Sequence, residues 1–501
     1  MKKSMLIVFA AAAVASAACS NSSERIEQTG LKPRLVVLTD IGPAEVEPDD
    51  NESAVRLLAY ADRFEIEAIC CTVGWNCDPY PAEWSDYLYN VIDGYEVDVH
   101  NLMKRSGQEG FLAPEQEQGR QALGYWPSAD YVRSRSMPGS PRAGIGVIGE
   151  GNDSQGSDML IKLADEDDDR PIYVCAWGSA NTLAQAVWRV QQTRTPDEFK
   201  AFLHKFRLYT ITDQDMVYGM RNNRSYSSHM WLRREFADDL ILVWDECAWL
   251  NQNNLGVAGW DLYAEHIQGH GKMGREAYPD YLWGVEGDTP SFLNCMPNGL
   301  NDPDDPTQVG WGGVHEFAVS PDRETWAWTN YWEPLRSISN AYEHKFYPDE
   351  FNDFAARMQW ADEGSGNHNP VVVIDGTAGP APVRMTVPAG RRVRFDASGS
   401  WDPDGDALSF YWWFQKFPSL RGSSSLLREK SSASPTAVSA FHLEAPSLRG
   451  SSSLFREKSS ASPTAVSAVF DEPGEYHLIC EVHDDGEFTL PAYRRIIITV
   501  E

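Results

Sequence analysis

Short apolar runs that suit β-strands alternate with helical patterns along the first part of the chain. The strand-like runs are Arg34–Leu38, Glu65–Val73 and Pro171–Ala176, and the helical segments are Glu52–Ala61, Ser157–Ala164 and Asn181–Gln191. Strands separated by helices pair in parallel, because each helix carries the chain back along the sheet. We therefore predict an α/β fold over residues 32–362, with a mostly parallel sheet flanked by helices. Ligands of such sheets bind beyond the carboxyl ends of the strands.

Carboxylates are concentrated just after the first strand. Asp40 is followed by Asp49 and Asp50, and Glu45 and Glu47 lie between them. Acidic side chains gathered where a strand meets a helix repel one another unless a cation such as calcium binds among them. Two interpretations are open at this point: a calcium site, or an acidic loop exposed to water.

Further polar motifs follow later apolar runs. Thr72–Asn76 reads Thr-Val-Gly-Trp-Asn, and Trp177–Ala184 reads Trp-Gly-Ser-Ala-Asn-Thr-Leu-Ala. Glu286–Ser291 introduces a late apolar segment, and Asp213 and Asp215 follow another apolar run. Segments that end at one edge of the sheet form a common rim there. A polar turn is an equally good interpretation of Asp213 and Asp215.

With these motifs, the chain resembles nucleoside hydrolases, and more closely the bacterial nucleoside-hydrolase-like family described as cellulose-binding proteins. Nucleoside hydrolases carry D-x-D-x-x-x-D-D after the first strand, T-T-V-x-G-N after the second and G-P-L-T-N-L-A later. The matching segments here are Asp40 with Asp49-Asp50, Cys71–Asn76 and Gly178–Ala184. The resemblance spans roughly residues 32–360. It implies a calcium site at the carboxyl edge of the sheet that holds a ribose-like ring.

The resemblance also implies roles for individual residues. Asp40 would be the base that activates a metal-bound water. The residues expected at the calcium ion are Asp49, Asp50, Asp288 and, through its main-chain oxygen, Asn181. The residues expected at the substrate are Trp75, Asn76, Asp213 and Asp215. Carboxylates near the sugar stabilise the cationic state of glycosidic cleavage, and calcium lowers the pKa of the attacking water.

The sequence departs from the nucleoside-hydrolase pattern at three places. Leu38 stands where the first aspartate of the pattern belongs, and eight residues separate Asp40 from Asp49 instead of three. Gly287 stands where nucleoside hydrolases carry a histidine that helps the departing base. The leading hypothesis is a calcium-dependent hydrolase of a glycosidic bond in a ribose-like or other sugar. The departures favour the alternative, a non-catalytic, cellulose-like carbohydrate-binding surface protein that kept the pocket.

The first residues have the pattern of a bacterial export signal. A basic start and an apolar core lead to Ser16-Ala17-Ala18-Cys19, which resembles a lipobox. We predict a signal peptide over residues 1–18, lipidation of Cys19 and a polar tether over 19–31. The alternative is an ordinary secretory signal cleaved near Ala18. The protein is thus expected outside the cytoplasm, at the bacterial outer membrane or cell surface, with the lipid anchor as its one membrane contact.

Charge and aromatic content limit the classes of ligand that the protein is expected to bind. A formal net charge of −30 argues against nucleic acid, because phosphate backbones require a basic surface. The 18 tryptophans suit ligands with flat ring faces. The expected partners are therefore a sugar or glycoside substrate and a polysaccharide.

A second pattern begins after a Gly/Asn/Pro-rich linker at 363–370. Residues 371–501 contain short alternating strands, and Phe395–Asp406 resembles a polycystic-kidney-disease (PKD) type immunoglobulin-like module. We predict a small all-β sandwich there. Pro418–Ala440 recurs almost unchanged as Pro446–Ala468. We interpret this repeat as a duplicated, disordered insertion at about 418–468, with a specific adhesion loop as the alternative.

Overall fold

The computed structural model describes residues 30–215, 226–415 and 463–501, together with the backbone of 442–443. An eight-stranded sheet forms the first domain, in the strand order β3-β2-β1-β4-β5-β6-β8-β7. The strands are β1 (Arg34–Thr39), β2 (Glu65–Cys71), β3 (Ser136–Pro138), β4 (Ile172–Ala176), β5 (Phe206–Ile211), β6 (Ile241–Asp245), β7 (Glu316–Val319) and β8 (Trp326–Thr329). All neighbouring pairs are parallel except the antiparallel pair β7 and β8. The predicted mostly parallel sheet is confirmed.

Helices cover both faces of this sheet. They are α1 (Pro48–Ala59), α2 (Ser85–Ser106), α3 (Pro114–Glu117), α4 (Ala129–Ser134), α5 (Gln155–Asp165), α6 (Asn181–Thr193), α7 (Pro196–Leu203), α8 (Ser228–Phe236), α9 (Ala248–Ala258), α10 (Trp260–His266), α11 (Thr289–Leu293) and α12 (Leu335–Glu363). Successive side chains of a strand point to opposite faces. Leu35 and Val37 of β1 therefore join one core, while Val36 and Leu38 join the other.

The helix α1 begins earlier than the sequence pattern predicts. It starts at Pro48 instead of Glu52, because a proline in the first turn has a helical φ and lacks the N–H that would be unpaired there. Asp49 and Asp50 therefore lie in the first turn of α1, and not in the preceding loop. Acidic side chains are stabilised at this end of a helix by the helix dipole.

The strand order changes direction between β1 and β4. The chain leaves β1 toward β2 on one side of the sheet, and later returns to place β4 on the other side. The loops after these two strands thus separate and leave a crevice at the carboxyl edge. Ligands of open parallel sheets bind in crevices of this kind.

The second domain is a sandwich of two sheets. Its strands are β9 (Val383–Val387), β10 (Arg392–Asp396), β11 (Ser409–Phe414), β12 (His442–Leu443), β13 (Ala465–Val469), β14 (Gly474–His483) and β15 (Pro491–Val500). One sheet has the order β10-β13-β12 and the other the order β11-β14-β15-β9. Their facing side chains form a separate apolar core. The sequence pattern of short strands begins at Val371–Ile374, but that segment makes only isolated bridges, from Val371 to Trp401 and from Ile374 to Thr377.

The end of the repeated segment belongs to this sandwich. Val466 and Ala468 of β13 are buried and pair with β10. The insertion predicted at about 418–468 therefore ends earlier than expected, because these two residues are part of the apolar core. Residues 418–462 lie outside the described residues, apart from the β12 backbone between the two copies.

Buried polar contacts join the two domains. His483 Nε2 lies 2.9 Å from Asp349 Oδ1 of α12, and the Tyr493 hydroxyl donates to Asp349 Oδ2 at 2.6 Å. Arg495 donates its backbone N–H to Gly299 O at 2.9 Å. Tyr493 also packs in the core of the first domain. The sandwich thus completes part of the core beneath α12.

Two further features bear on the sequence predictions. Among the described helices, none combines the length and the apolar character that a membrane crossing requires. The cysteines of the described residues, from Cys70 to Cys480, are all buried and free. The predicted lipidation site, Cys19, lies outside the described residues.

Candidate functional site

Carboxylates from separate segments converge at the crevice between β1 and β4. We call them the carboxylate cluster, which comprises Asp40, Glu47, Asp49, Asp50 and Asp288. Asp40 directly follows β1, and Asp288 immediately precedes α11. Carboxylate oxygens of Glu47, Asp49 and Asp50 lie within 4.8 Å of one another. The sequence prediction that Asp40, Asp49, Asp50 and Asp288 lie together agrees with this placement.

The carboxyl groups of the cluster lie close to one another. The Thr39 hydroxyl donates to Asp50. The Asp288 carboxyl group lies next to that of Asp50, and the Glu47 carboxyl group lies next to that of Asp40. Two carboxyl groups this close repel each other unless one of them holds a proton or a cation lies beside them. The cluster therefore retains protons whenever no cation balances its charge.

Glycines bring the backbone of neighbouring loops against these carboxylates. Gly74 follows β2, and a Cβ atom there would overlap the Asp40 carboxylate. Gly178 follows β4, and a Cβ atom there would lie 2.8 Å from Asp40 Oδ1. A Cβ atom on Gly287 would lie 2.8 Å from Asp49 Oδ2. A larger residue at any of these positions would displace a carboxylate.

Burial and mutual repulsion raise the pKa of every carboxyl group in the cluster. Burial, with a contribution from the nearby Asp49 charge, raises the pKa of Asp40 to about 7. Burial and the Asp50 charge raise the pKa of Asp49 to about 8. Burial and neighbouring carboxylates also raise the pKa well above its usual value for Glu47, Asp50 and Asp288. So many buried like charges ionise together only beside a cation.

Unpaired oxygen atoms show where a cation fits. Within the described residues, Glu47 Oε1, Asp49 Oδ1 and Asp288 Oδ2 are buried and have no hydrogen-bond partner. Buried polar atoms normally have one. Carboxylate oxygens are the ligands that calcium prefers. The residues present therefore fit a calcium ion.

Leu38, the first departure from the nucleoside-hydrolase pattern, does not face the cluster. Its side chain packs in the apolar core with Ala176 and Leu183. Its carbonyl oxygen accepts the N–H groups of Trp177 and Gly178, both at 2.9 Å. Residue 38 thus fixes the loop after β4. The cluster draws its carboxylates from α1, from the loop before α1 and from Asp288 before α11.

Asn181, predicted as a calcium ligand, has another set of contacts. It is the first residue of α6, and its side chain accepts from Gly144 N at 2.8 Å and donates to Gly144 O at 3.0 Å. A carbonyl in the first turn of a helix points along the helix axis, away from the N-terminus. Among the described contacts, none joins Asn181 to the carboxylate cluster.

Asp213 and Asp215, predicted at the substrate, are buried and paired within the protein. Asp213 accepts from the Ser227 hydroxyl at 2.8 Å and from Arg233 Nη2 at 3.0 Å. Asp215 accepts from Ser228 N at 2.6 Å and from the Ser179 hydroxyl. Ser179 is the neighbour of Gly178, so Asp215 supports a loop that borders the cluster.

Trp75 and Asn76 lie beside the cluster. The backbone N–H of Trp75 hydrogen-bonds the Asp40 carboxylate. Asn76 donates from its side chain to Val46 O at 3.2 Å and so holds the loop that ends at Glu47. Both side chains are half-buried. The loop after β2 is therefore in place to contact a ligand at Asp40.

The sequence analysis places Glu47 between the cluster aspartates but does not expect it at the calcium ion. The signal available was its position one residue before Pro48, because Pro followed by acidic residues marks the first turn of a helix. It also missed Trp84, whose ring packs on Gly42, and Trp283, which precedes Gly284 beside Asp49. Nothing in the local sequence of these two tryptophans indicates that their segments adjoin residues of the cluster.

Two protein-family models match the chain. The family model for the cellulose-binding Sde182, nucleoside hydrolase-like domain matches residues 34–315, which is more than half of the chain. The protein belongs to this Sde182 nucleoside-hydrolase-like family. The model for the C-terminal domain of the cellulose-binding protein Sde0182 matches residues 392–500. This match identifies the sandwich by family and does not confirm the PKD type expected from the sequence.

One solved structure is similar over nearly the whole of this chain. A nucleoside hydrolase-related protein from Saccharophagus degradans, described as associated with carbohydrate metabolism, is 29% identical. The match covers 94% of this chain and 100% of that chain, with a TM-score of 0.72. A further match, the effector protein XOO4466, is 10% identical with a TM-score of 0.28 and covers 69% of this chain and 98% of that chain. No curated protein matches the chain. The nucleoside-hydrolase-like fold expected from the motifs is confirmed.

Proposed function

We propose that this protein binds calcium at the carboxylate cluster and hydrolyses a glycosidic bond in a sugar substrate. The observation that carries the proposal is the convergence of five acidic side chains, three of which keep a buried oxygen without a partner. Calcium, when bound, would neutralise these charges and lower the pKa of an attacking water. The cluster lies at the crevice between β1 and β4, which is where open parallel sheets bind their ligands.

Asp40 is the residue suited to accept the proton of the attacking water. Its carboxylate is buried and oriented by the Trp75 N–H, between the loops that carry Gly74 and Gly178. A base held this rigidly loses little entropy when it accepts a proton. Ionised neighbours on the same side of the sugar would stabilise the oxocarbenium-like state of bond cleavage.

Binding without turnover is the second candidate function. A specific observation favours it: Gly287 lies against Asp49, so that a histidine there would collide with a cluster carboxylate. The loop therefore offers no general acid at the position where nucleoside hydrolases carry one. The family description as cellulose-binding also fits this function.

The proposal includes an extracytoplasmic location. A protein that binds a polysaccharide outside the cell must be exported. The predicted lipid anchor at Cys19 would hold it at the cell surface. Metabolic labelling with a fatty-acid analogue tests this part. We expect label in the wild type and none in Cys19→Ser; label in both variants would contradict the anchor.

Calcium titration tests whether the carboxylate cluster binds the ion, as both candidate functions require, or is only a group of acidic side chains. We expect the wild type to bind one calcium ion and Asp50→Asn to lose that binding. Asp86→Asn is the matched control, because Asp86 is also acidic and in the first turn of a helix but is exposed. Release of reducing sugar from a glycoside panel, lost in Asp40→Asn, supports the hydrolase. Calcium binding and polysaccharide retention with no turnover support the binding protein.

A further inference from the structure

Two free thiols lie side by side in the core of the first domain. Cys175 is in β4 and Cys295 follows α11, and the two residues are 0% and 2% exposed. The Cys295 thiol lies next to that of Cys175, and both side chains line one small cavity. Because 119 residues lie between them in the sequence, only the packing of α11 against β4 brings the two thiols together.

A second contact joins the same two segments. Trp177, two residues after Cys175, donates from its ring N–H to the Ser291 hydroxyl oxygen at 2.8 Å. Cys295 is in the turn that follows α11, four residues after Ser291. Residues two apart along a strand share a face, and so do residues four apart along a helix. Cys175 therefore faces Cys295 as Trp177 faces Ser291, and both cysteines belong to one apolar core.

The other cysteines of the described residues have different surroundings. Cys70 and Cys71 are neighbours in β2, so their side chains point to opposite faces of the sheet. Cys77 lies beside the carboxylate cluster. The Cys247 thiol donates to a backbone oxygen at 3.2 Å, and Cys480 packs in the core of the second domain. Among the described cysteines, the pair beside α11 is therefore the one best placed for a covalent bond.

We propose that Cys175 and Cys295 form a disulfide bond in the exported protein. This inference is independent of calcium binding and of turnover. Disulfides form outside the cytoplasm, where the predicted signal over residues 1–18 would direct the chain. One cysteine thiolate attacks the disulfide of a thiol–disulfide oxidase, and the second then attacks the mixed disulfide. The oxidase disulfide accepts the electron pair and, with the two protons, becomes two thiols.

The bond forms while the chain folds, before the core closes. Burial and the neighbouring Cys175 thiol raise the pKa of Cys295 well above its usual value. A buried thiol that keeps its proton is a poor nucleophile, whereas the same thiol in the unfolded chain is accessible to an oxidant. Once the core has closed, the same burial shields the bond from reductants.

The bond would fasten together two segments that border the carboxylate cluster. Gly178, which lies against Asp40, is three residues after Cys175. Asp288 is seven residues before Cys295. A cross-link between segments so far apart in the sequence restricts the unfolded chain and thereby stabilises the folded one.

Peptide mass spectrometry of the full chain exported to the periplasm, alkylated in denaturant without reductant, tests the bond. We expect a linked pair of peptides containing Cys175 and Cys295, and alkylation of five of the seven cysteines from Cys70 to Cys480. Cys295→Ala should leave Cys175 free for alkylation. Cys480→Ala is the matched control, because Cys480 is also fully buried, and it should keep the linked peptides. Alkylation of all seven cysteines in the wild type, or a different pairing, would overturn the proposal.

Urea denaturation with and without dithiothreitol measures the effect of the bond on stability. We expect the reductant to lower the urea midpoint of the exported wild type and of Cys480→Ala, and to leave that of Cys295→Ala unchanged. The wild-type chain refolded with oxidised glutathione should regain both the linked peptides and the higher midpoint. A wild-type midpoint that is the same with and without dithiothreitol would count against the bond.

Discussion

Arg56 of α1 and Glu286 of the loop before α11 form an ion pair of 2.8 Å in which both side chains are fully buried. The pair joins the helix that carries Asp49 and Asp50 to the loop that carries Asp288. Gln252 and Tyr263 also donate to the Glu286 carboxylate, both at 2.9 Å. The two halves of the carboxylate cluster are therefore fixed to each other by this contact.

Replacing one partner of this pair should destabilise the protein and weaken calcium binding. We expect Glu286→Gln to lower the free energy of unfolding by roughly 3–5 kcal/mol, because Arg56 is left as an unpaired buried charge. Urea denaturation measures the loss. Glu324→Gln is the control, since its pair with Arg234 is exposed and contributes at most about 1 kcal/mol. Equal effects of the two substitutions would contradict the role of the buried pair.

Stability without calcium should fall as the pH rises. The pKa of Asp40 is raised to about 7 and that of Asp49 to about 8, so the folded protein keeps protons that the unfolded chain loses near pH 4. The stabilisation is complete below the unfolded pKa and is lost as the pH rises through the folded pKa. Thermal unfolding in chelator should show this fall between about pH 4 and pH 8. A stability that rises across this range would contradict the raised pKa values.

Calcium should reverse that trend. An ion that binds only the folded state stabilises it by about 2.7 kcal/mol at a concentration one hundred times its dissociation constant. Ionised carboxylates bind calcium best, so we expect the stabilisation to grow from acidic to neutral pH. Melting temperatures in calcium and in chelator measure it. Magnesium at equal concentration is the control, because this ion requires a more rigid octahedral site. A stabilisation by calcium that shrinks toward neutral pH would contradict the carboxylate cluster as its site.

Gly74 should tolerate no side chain. We expect Gly74→Ala to displace the Asp40 carboxylate and to weaken calcium binding at least about tenfold, because the new Cβ atom would occupy the place of that group. Gly110→Ala is the matched control, since a Cβ atom there meets nothing within 4 Å. Calcium titration, with circular dichroism to check folding, distinguishes the two. Unchanged affinity in folded Gly74→Ala would contradict the placement of Asp40.

The contact between the domains should weaken in acid. Burial alone would raise the pKa of Asp349, but the hydrogen bond and charge of His483 hold it below its usual value. This contribution is present above the unfolded pKa and is lost as the pH falls through the folded pKa. We expect Asp349→Asn to cost about 1–3 kcal/mol near neutral pH, measured by urea denaturation. Asp93→Asn, at an exposed ion pair, should cost little; a larger loss there would contradict this assignment.

The sheet and most of the cluster could be predicted because local sequence determines them. Apolar runs mark strands, and residues that follow β1 must lie at its carboxyl end. Asp40, Asp49 and Asp50 are close in the sequence, so their proximity needs no long-range information. Asp288 is expected at the site only through the family resemblance, since 237 residues separate it from Asp50.

What could not be predicted depends on contacts between distant segments. Asp213 and Asp215 have the same local pattern as the cluster aspartates, but Ser227 and Ser228 pair with them from α8 and its N-cap. Most of β13 lies in the second copy of the repeat, and the first copy has the same residues. The sequence alone therefore does not show which copy forms the strand. Burial of Val466 against the other sheet gives this copy its role in the core.

A crystal structure of the protein grown with calcium, with anomalous differences measured, tests whether the carboxylate cluster binds the ion. We expect one ion with six to eight oxygen ligands at about 2.3–2.6 Å. Oxygens of Glu47, Asp49, Asp50 and Asp288 should be among these ligands, with Asp40 beside them. A cluster that contains no ion at saturating calcium would contradict it.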